Sequence, residues 1–116
     1  MENQSLPTIT DEYMLQMRAR ARSYSLLILK FGEARNQDGV EKIIWEHGRR
    51  NHALRAQGLL PIVCPVGDGE IAGIGIFNAS VEEVKAIMEE DPGVKAGVFV
   101  YEIHPCRGFA GDSLPE

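Results

Sequence analysis

The sequence predicts an α+β domain with a four-stranded sheet covered on one side by two helices. Three observations predict it. Residues 23–31 (SYSLLILKF) are a short run rich in Leu and Ile and closed by Gly32, as a buried strand is. The glycine-rich step 67–69 (GDG) joins two further short runs in the manner of a hairpin. Helical stretches at 36–57 and 78–91 separate the strands from one another. The order from residue 23 is therefore β-α-β-β-α-β, the split βαβ or ferredoxin-like pattern.

Each element has a local reason. Residues 1–9 are a loose polar lead-in. Thr10 then offers a hydroxyl N-cap, with Asp11 and Glu12 in the first turn of an extra N-terminal helix. Arg18, Arg20 and Arg22 on that helix read as a solvated face, with an anion or partner surface as the functional alternative. The first strand follows at 23–31. Asn36 to Asp38 start the long helix, which runs to about Gln57, with Gly58 as its C-terminal cap. The second strand, 59–66, is broken by Pro61 and Pro65 and is expected to be short or at a sheet edge. The third strand spans 70–77. Asn78 to Ser80 cap the next helix, whose apolar face is Val84, Ile87 and Met88, and Pro92 is expected to end it. The last strand is expected at 94–103 (VKAGVFVYEI), followed by an extended arm. The division expected is an N-terminal extension at 1–22, the main domain at 23–105 and a C-terminal arm at 106–116.

Composition narrows the function. The chain has 116 residues, enough for one domain with its own core. Its formal charge of −5 argues against nucleic acid as a partner, because phosphate contacts need a basic footprint. Cys64 and Cys106 are too few for a disulfide scaffold or a four-cysteine zinc site. No stretch approaches the ~20 apolar residues of a membrane span. A cytoplasmic location is the expectation. Two helices cover only one face of a four-stranded sheet, yet the first strand is apolar on both. A partner sheet is expected on the other face, giving a homodimer or higher homo-oligomer.

One histidine stands out. At about 100° per residue, Val40, Ile43, Ile44, His47, Asn51 and Leu54 share one helix face. A titratable ring facing a core loses hydration unless it finds a partner. Asp91, at the end of the following helix, is the expected partner, since the macrodipole disfavours a carboxylate there. A His–Asp pair is a candidate general acid/base. The plainer reading makes His47 a core histidine bonded to a carbonyl and Asp91 a helix-end residue.

Several segments together resemble the YciI-like (YCII-related) family of the dimeric α+β barrel superfamily. They are the helix EHGRRNHALRAQGLL around His47, the strand ending at Cys64-Pro65, the glycine-rich hairpin, residues 91–99 (DPGVKAGVF), and His104-Pro105. The resemblance covers most of residues 23–105. It implies a dimeric barrel, a catalytic dyad at His47 and Asp91, and no cofactor. In that family some members remove chloride from chlorinated hydroxyquinols, and distant relatives isomerise lactones. Two features depart from the pattern: Cys64 replaces a glycine, and the N-terminal helix is additional.

The other candidates are weaker. Arg50 borders the apolar stripe and is a candidate for an anionic substrate. Cys64 and Pro65 are candidate pocket residues, although a buried thiol is more often a small hydrophobe. His104 ends a strand and is a candidate for the pocket mouth. His52 and Trp45 read as surface or interface. No metal-ligand spacing is present, so no metal is expected. The resulting expectation is a cofactor-independent acid/base enzyme acting on a small phenolic or carbonyl compound by isomerisation, elimination or dehalogenation. The alternative is a dimeric small-molecule-binding or accessory module without chemistry. An open pocket at the dyad favours the first, and a pair packed over favours a structural role.

Overall fold

The computed structural model describes residues 5–116. Its elements are helix α1 (Asp11–Arg20), strand β1 (Ala21–Phe31), helix α2 (Val40–Ala56), strands β2 (Ile62–Asp68) and β3 (Ile71–Phe77), helices α3 (Val81–Glu89) and α4 (Pro92–Lys95), and strand β4 (Phe99–Phe109). The four strands form one antiparallel sheet in the order β2-β3-β1-β4. This α+β architecture is compatible with the ferredoxin-like expectation. The lead-in at residues 1–4 lies outside the described residues.

Strand alternation assigns the two faces of the sheet. Ser25, Leu27 and Leu29 of β1 are buried and join Phe77, Val98 and Phe99 beneath Leu54 of α2 and Val84 and Met88 of α3. Leu26 and Ile28, one residue out of phase, lie on the other face and are half-buried. Ile28 pairs there with Ile74 of β3 and Glu102 of β4, and Leu26 with Ile76 and His104. On this open face Lys30 forms an ion pair with Glu102, and His104 Nε2 lies within hydrogen-bond distance of the same carboxylate.

Capping follows the sequence at three helices. Thr10 accepts from Tyr13 N–H at the start of α1. Ser80 and Glu83 form a reciprocal capping box on α3. Gly58 takes a positive φ of 78° just past α2. The hairpin turn falls at Gly69-Glu70 rather than within 67–69, with Gly69 at φ 69°. The long helix starts at Val40 after Gly39, not at 36–38. β2 begins after Pro61 and is an edge strand, which accommodates Pro65.

The largest correction concerns residues 91–109. Pro92 does not simply end α3. It is the first residue of α4, where its missing N–H costs nothing. Residues 94 and 95, expected in a strand, therefore finish a short helix, and β4 begins only at Phe99. That strand continues to Phe109 in unbroken register with β1, from Phe31↔Phe99 to Ala21↔Phe109. Residues 106–109, expected in an extended arm, are thus paired strand. Pro105 is accommodated because β4 is the other sheet edge.

α1 buries none of its residues. The Cα radius of gyration is 17.2 Å, against about 13 Å for a compact chain of this length. Among the described residues, no helix is long and apolar enough to cross a membrane.

Candidate active site

The site is built where α2 crosses the start of α4. His47, mid-way along α2, faces the sheet and is 8% exposed. Asp91 is the N-cap of α4 and is wholly buried. Its position corrects the sequence expectation. The carboxylate does not sit at a helix C-terminus against the macrodipole but at an N-terminus, where the dipole favours it. Asp91 Oδ2 accepts from Gly93 N–H at 2.9 Å and Val94 N–H at 3.1 Å.

The two side chains meet. His47 Nδ1–H lies 2.8 Å from Asp91 Oδ1 and 2.9 Å from Oδ2. Burial of Asp91 opposes its ionisation. The hydrogen bond and charge of His47, with the N–H groups of Val94 and Gly93, outweigh that burial and hold the carboxyl below its ordinary value. A charged acceptor at Nδ1 fixes the ring tautomer and leaves Nε2 as the exchangeable nitrogen.

The rest of the segment 91–99 supports the pair. A Cβ on Gly93 would run into the Phe99 ring. Phe99 packs on the His47 imidazole with ring centroids 4.6 Å apart. Gly97 adopts a φ of 76° and turns the chain from α4 into β4. Asp91, Pro92, Gly93, Gly97 and Phe99 thus each have a geometric task around the dyad.

His47 opens onto a cavity of about 380 Å³, within the range of small-ligand sites. The sheet side is formed by Leu27, Leu29 and Phe31 of β1, with Gly73 and Gly75 of β3, while Ile44, Gly48 and Asn51 approach from α2. The walls are mostly apolar, so a polar group on a ligand would find few partners besides His47 and its neighbours.

The remaining candidates separate. Cys64 and Pro65 border the cavity. Register places Cys64 in the row of Ile74 and Ile28, out of phase with Val63 and Pro65. His52, read as surface from the sequence, borders the cavity while being exposed. Trp45 is exposed. Arg50 does not line the cavity; its Nη1 approaches Asp91 Oδ1 at 3.7 Å. His104 lies on the open face of the sheet, where Nε2 is 3.1 Å from Glu102 Oε1. The structure therefore brings His47, Asp91 and Arg50 together and leaves His104 apart.

One residue of the site was not singled out from the sequence. Asn51 Nδ2 lies 3.2 Å from His47 Nε2. The signal was present: Asn51 is four residues from His47 on the same helix face, where side chains meet. It read as a member of the stripe rather than as a partner of the ring.

No protein-family model and no curated protein matches the chain. Among solved structures, one that is similar is 5-chloro-2-hydroxyhydroquinone dehydrochlorinase from Burkholderia phenoliruptrix AC1100, in complex with 2,5-dihydroxybenzoquinone. It is 20% identical, with a TM-score of 0.48, and the match covers 70% of this chain and 90% of that one.

Proposed function

We propose that the chain is an acid/base enzyme of the YciI-like type, acting on a small phenolic or carbonyl compound. The observation that carries this reading is a buried His47–Asp91 pair whose second ring nitrogen lies at the wall of an apolar cavity. Asp91 orients the imidazole and stabilises it when protonated. His47 Nε2 takes a proton from a phenolic hydroxyl or from a carbon next to a carbonyl, then returns it to a neighbouring atom or a leaving group. Isomerisation, elimination and dehalogenation share this step. The proton transfer itself asks for no cofactor. A positioned base of this kind typically contributes ~10²–10⁴-fold.

The apolar walls favour a small unsaturated ring over a charged metabolite. Pro65, in the row of Gly73 and Leu29, is proposed as a side-chain contact of the ligand, Cys64 as a neighbour reached only through its backbone, and Arg50 as acting on the ligand only through Asp91. The open face of the sheet, with Ile74 and Val100 37% and 52% exposed, is proposed as the contact between two copies.

The test is turnover of a panel of hydroxylated benzenes, chlorinated phenols and unsaturated lactones. A substrate should be found whose turnover falls ~10²–10⁴-fold in His47→Gln and by a similar order in Asp91→Asn, with the fold intact. A substrate turned over equally well by both variants would place the chemistry elsewhere. Ligand binding without turnover, unaffected by either change, would favour the accessory-module reading.

A further inference from the structure

We propose that Asn51 is a positioning residue for His47, a turnable amide that matches the ring in both of its protonation states. The inference rests on the acid/base reading above and deepens it. With Nδ1–H committed to Asp91, Nε2 carries the lone pair in the neutral ring, and Asn51 Nδ2 donates to it at 3.2 Å. In the resting site both ring nitrogens are therefore occupied, and the base is held ready rather than open.

The geometry has a chemical consequence. When Nε2 gains a proton it becomes a donor, and the Asn51 NH₂ group would then face it donor to donor. Turning the amide half-way about its last bond presents Oδ1 instead, which accepts that N–H. An amide carries a donor and an acceptor on one planar group, so one side chain serves both states. The mostly apolar surroundings make the exchange matter, because an unpaired N–H there would lose its solvation. The proton comes from the substrate and resides on Nε2. The amide moves only its own hydrogen bond, so no further reactant is needed. A substrate hydroxyl must displace the amide to reach Nε2, which makes Asn51 the group that a productive ligand replaces.

The sequence supplies the placement. Asn51 stands one turn after His47 on α2 and is half-buried at the cavity wall. Asp91 lies on the opposite side of the ring, and Arg50 reaches Asp91 rather than the cavity. Among the described residues, Asn51 is the side chain hydrogen-bonded to Nε2.

The experiment is ¹⁵N NMR of the His47 ring and the Asn51 side-chain amide across pH. It compares the full chain with Asn51→Leu, Asn51→Asp and Asp91→Asn. In the native chain the Asn51 amide resonances should move in step with the protonation of His47. Asn51→Asp offers acceptors only, so His47 should keep its Nε2 proton to higher pH than the native chain does. Asn51→Leu keeps the shape without the bond, so its neutral Nε2 resonance should move to the position of an unbonded nitrogen. Its proton should also be released at lower pH than in the native chain. If Leu does not fold, the Asp variant and the native Asn51 resonances still decide the matter. An Nε2 resonance and protonation range unchanged in both Asn51 variants would overturn the proposal. If those are unchanged while Asp91→Asn shifts the ring, only the role of Asn51 fails. If Asp91→Asn also leaves the ring unmoved, the dyad reading fails with it.

Discussion

At the scale of the residue, Asp91 carries the account. It is an N-cap, the acceptor of His47 and the neighbour of Arg50 at once. Its carboxyl is held below its ordinary value, so it stabilises the fold above the unfolded carboxyl range, near pH 4. That contribution is lost as pH falls through the still lower value in the folded chain. Asp91→Asn should cost about 1–3 kcal/mol at neutral pH, since an asparagine still caps α4 but loses the charged hydrogen bond. Its stability should also decline less steeply below about pH 4 than that of the native chain. Denaturant titrations at a series of pH values check both. The sequence already paired His47 with Asp91, because a histidine on an apolar stripe needs a partner. It misjudged how the aspartate is held. Asp91-Pro92 reads equally as the end of one helix or the start of the next, and packing against α2 decides between them. Asn51 escaped notice because an amide on a helix face carries no signature of its own until a ring nitrogen faces it.

At the scale of the element, the segment after α3 was the hardest to read. Its residues VKAG pass for the start of a strand by composition. The N–H groups of Gly93 and Val94, captured by Asp91, instead close a helical turn before Gly97. Gly93→Ala should therefore destabilise the protein beyond the ~1 kcal/mol of an ordinary surface change. Its Cβ would displace Phe99, and through Phe99 the imidazole. Ser80→Ala, at the capping box of α3, serves as the contrast. It should cost about 0.5–2 kcal/mol and leave the His47 ring resonances in place. Thermal melts with ring ¹⁵N spectra of the two variants separate a loss confined to a cap from one transmitted to the site. The caps of α1 and α3 and the edge position of β2 were legible because hydroxyl caps and prolines act locally. The length of β4 was not, since Pro105 reads as a stop unless the strand is known to lie at an edge.

At the scale of the molecule, the helices cover one face of the sheet and the dyad faces that covered side. The other face keeps Leu26, Ile28 and Ile76 half-buried and Ile74 and Val100 more exposed. The first strand predicted this asymmetry by being apolar in both phases, although which phase met the helices depended on where α2 landed. Lys30, Glu102 and His104 lie among these apolar rows and give the face a polar cluster built on the Lys30–Glu102 ion pair. If two copies pair through this face, Val100→Glu, at an exposed position that does not line the His47 cavity, should convert a dimer to a monomer without altering the His47 ring resonances. Sedimentation equilibrium of the native chain and the variant checks this. A native chain that is monomeric, or a variant that remains dimeric, would remove this face from the assembly. α1 buries no residue of its own.

The central claim is that His47 exchanges a proton at the cavity wall under the control of Asp91. The most direct measurement is an NMR titration of the His47 ring nitrogens in the native chain beside Asp91→Asn. The account predicts reversible protonation at Nε2 with the fold intact, a neutral ring held as the Nδ1–H tautomer, and a titration that moves to lower pH when the carboxylate is lost. A ring that does not respond to pH while the protein stays folded, or one whose titration and tautomer ignore Asp91, would contradict it.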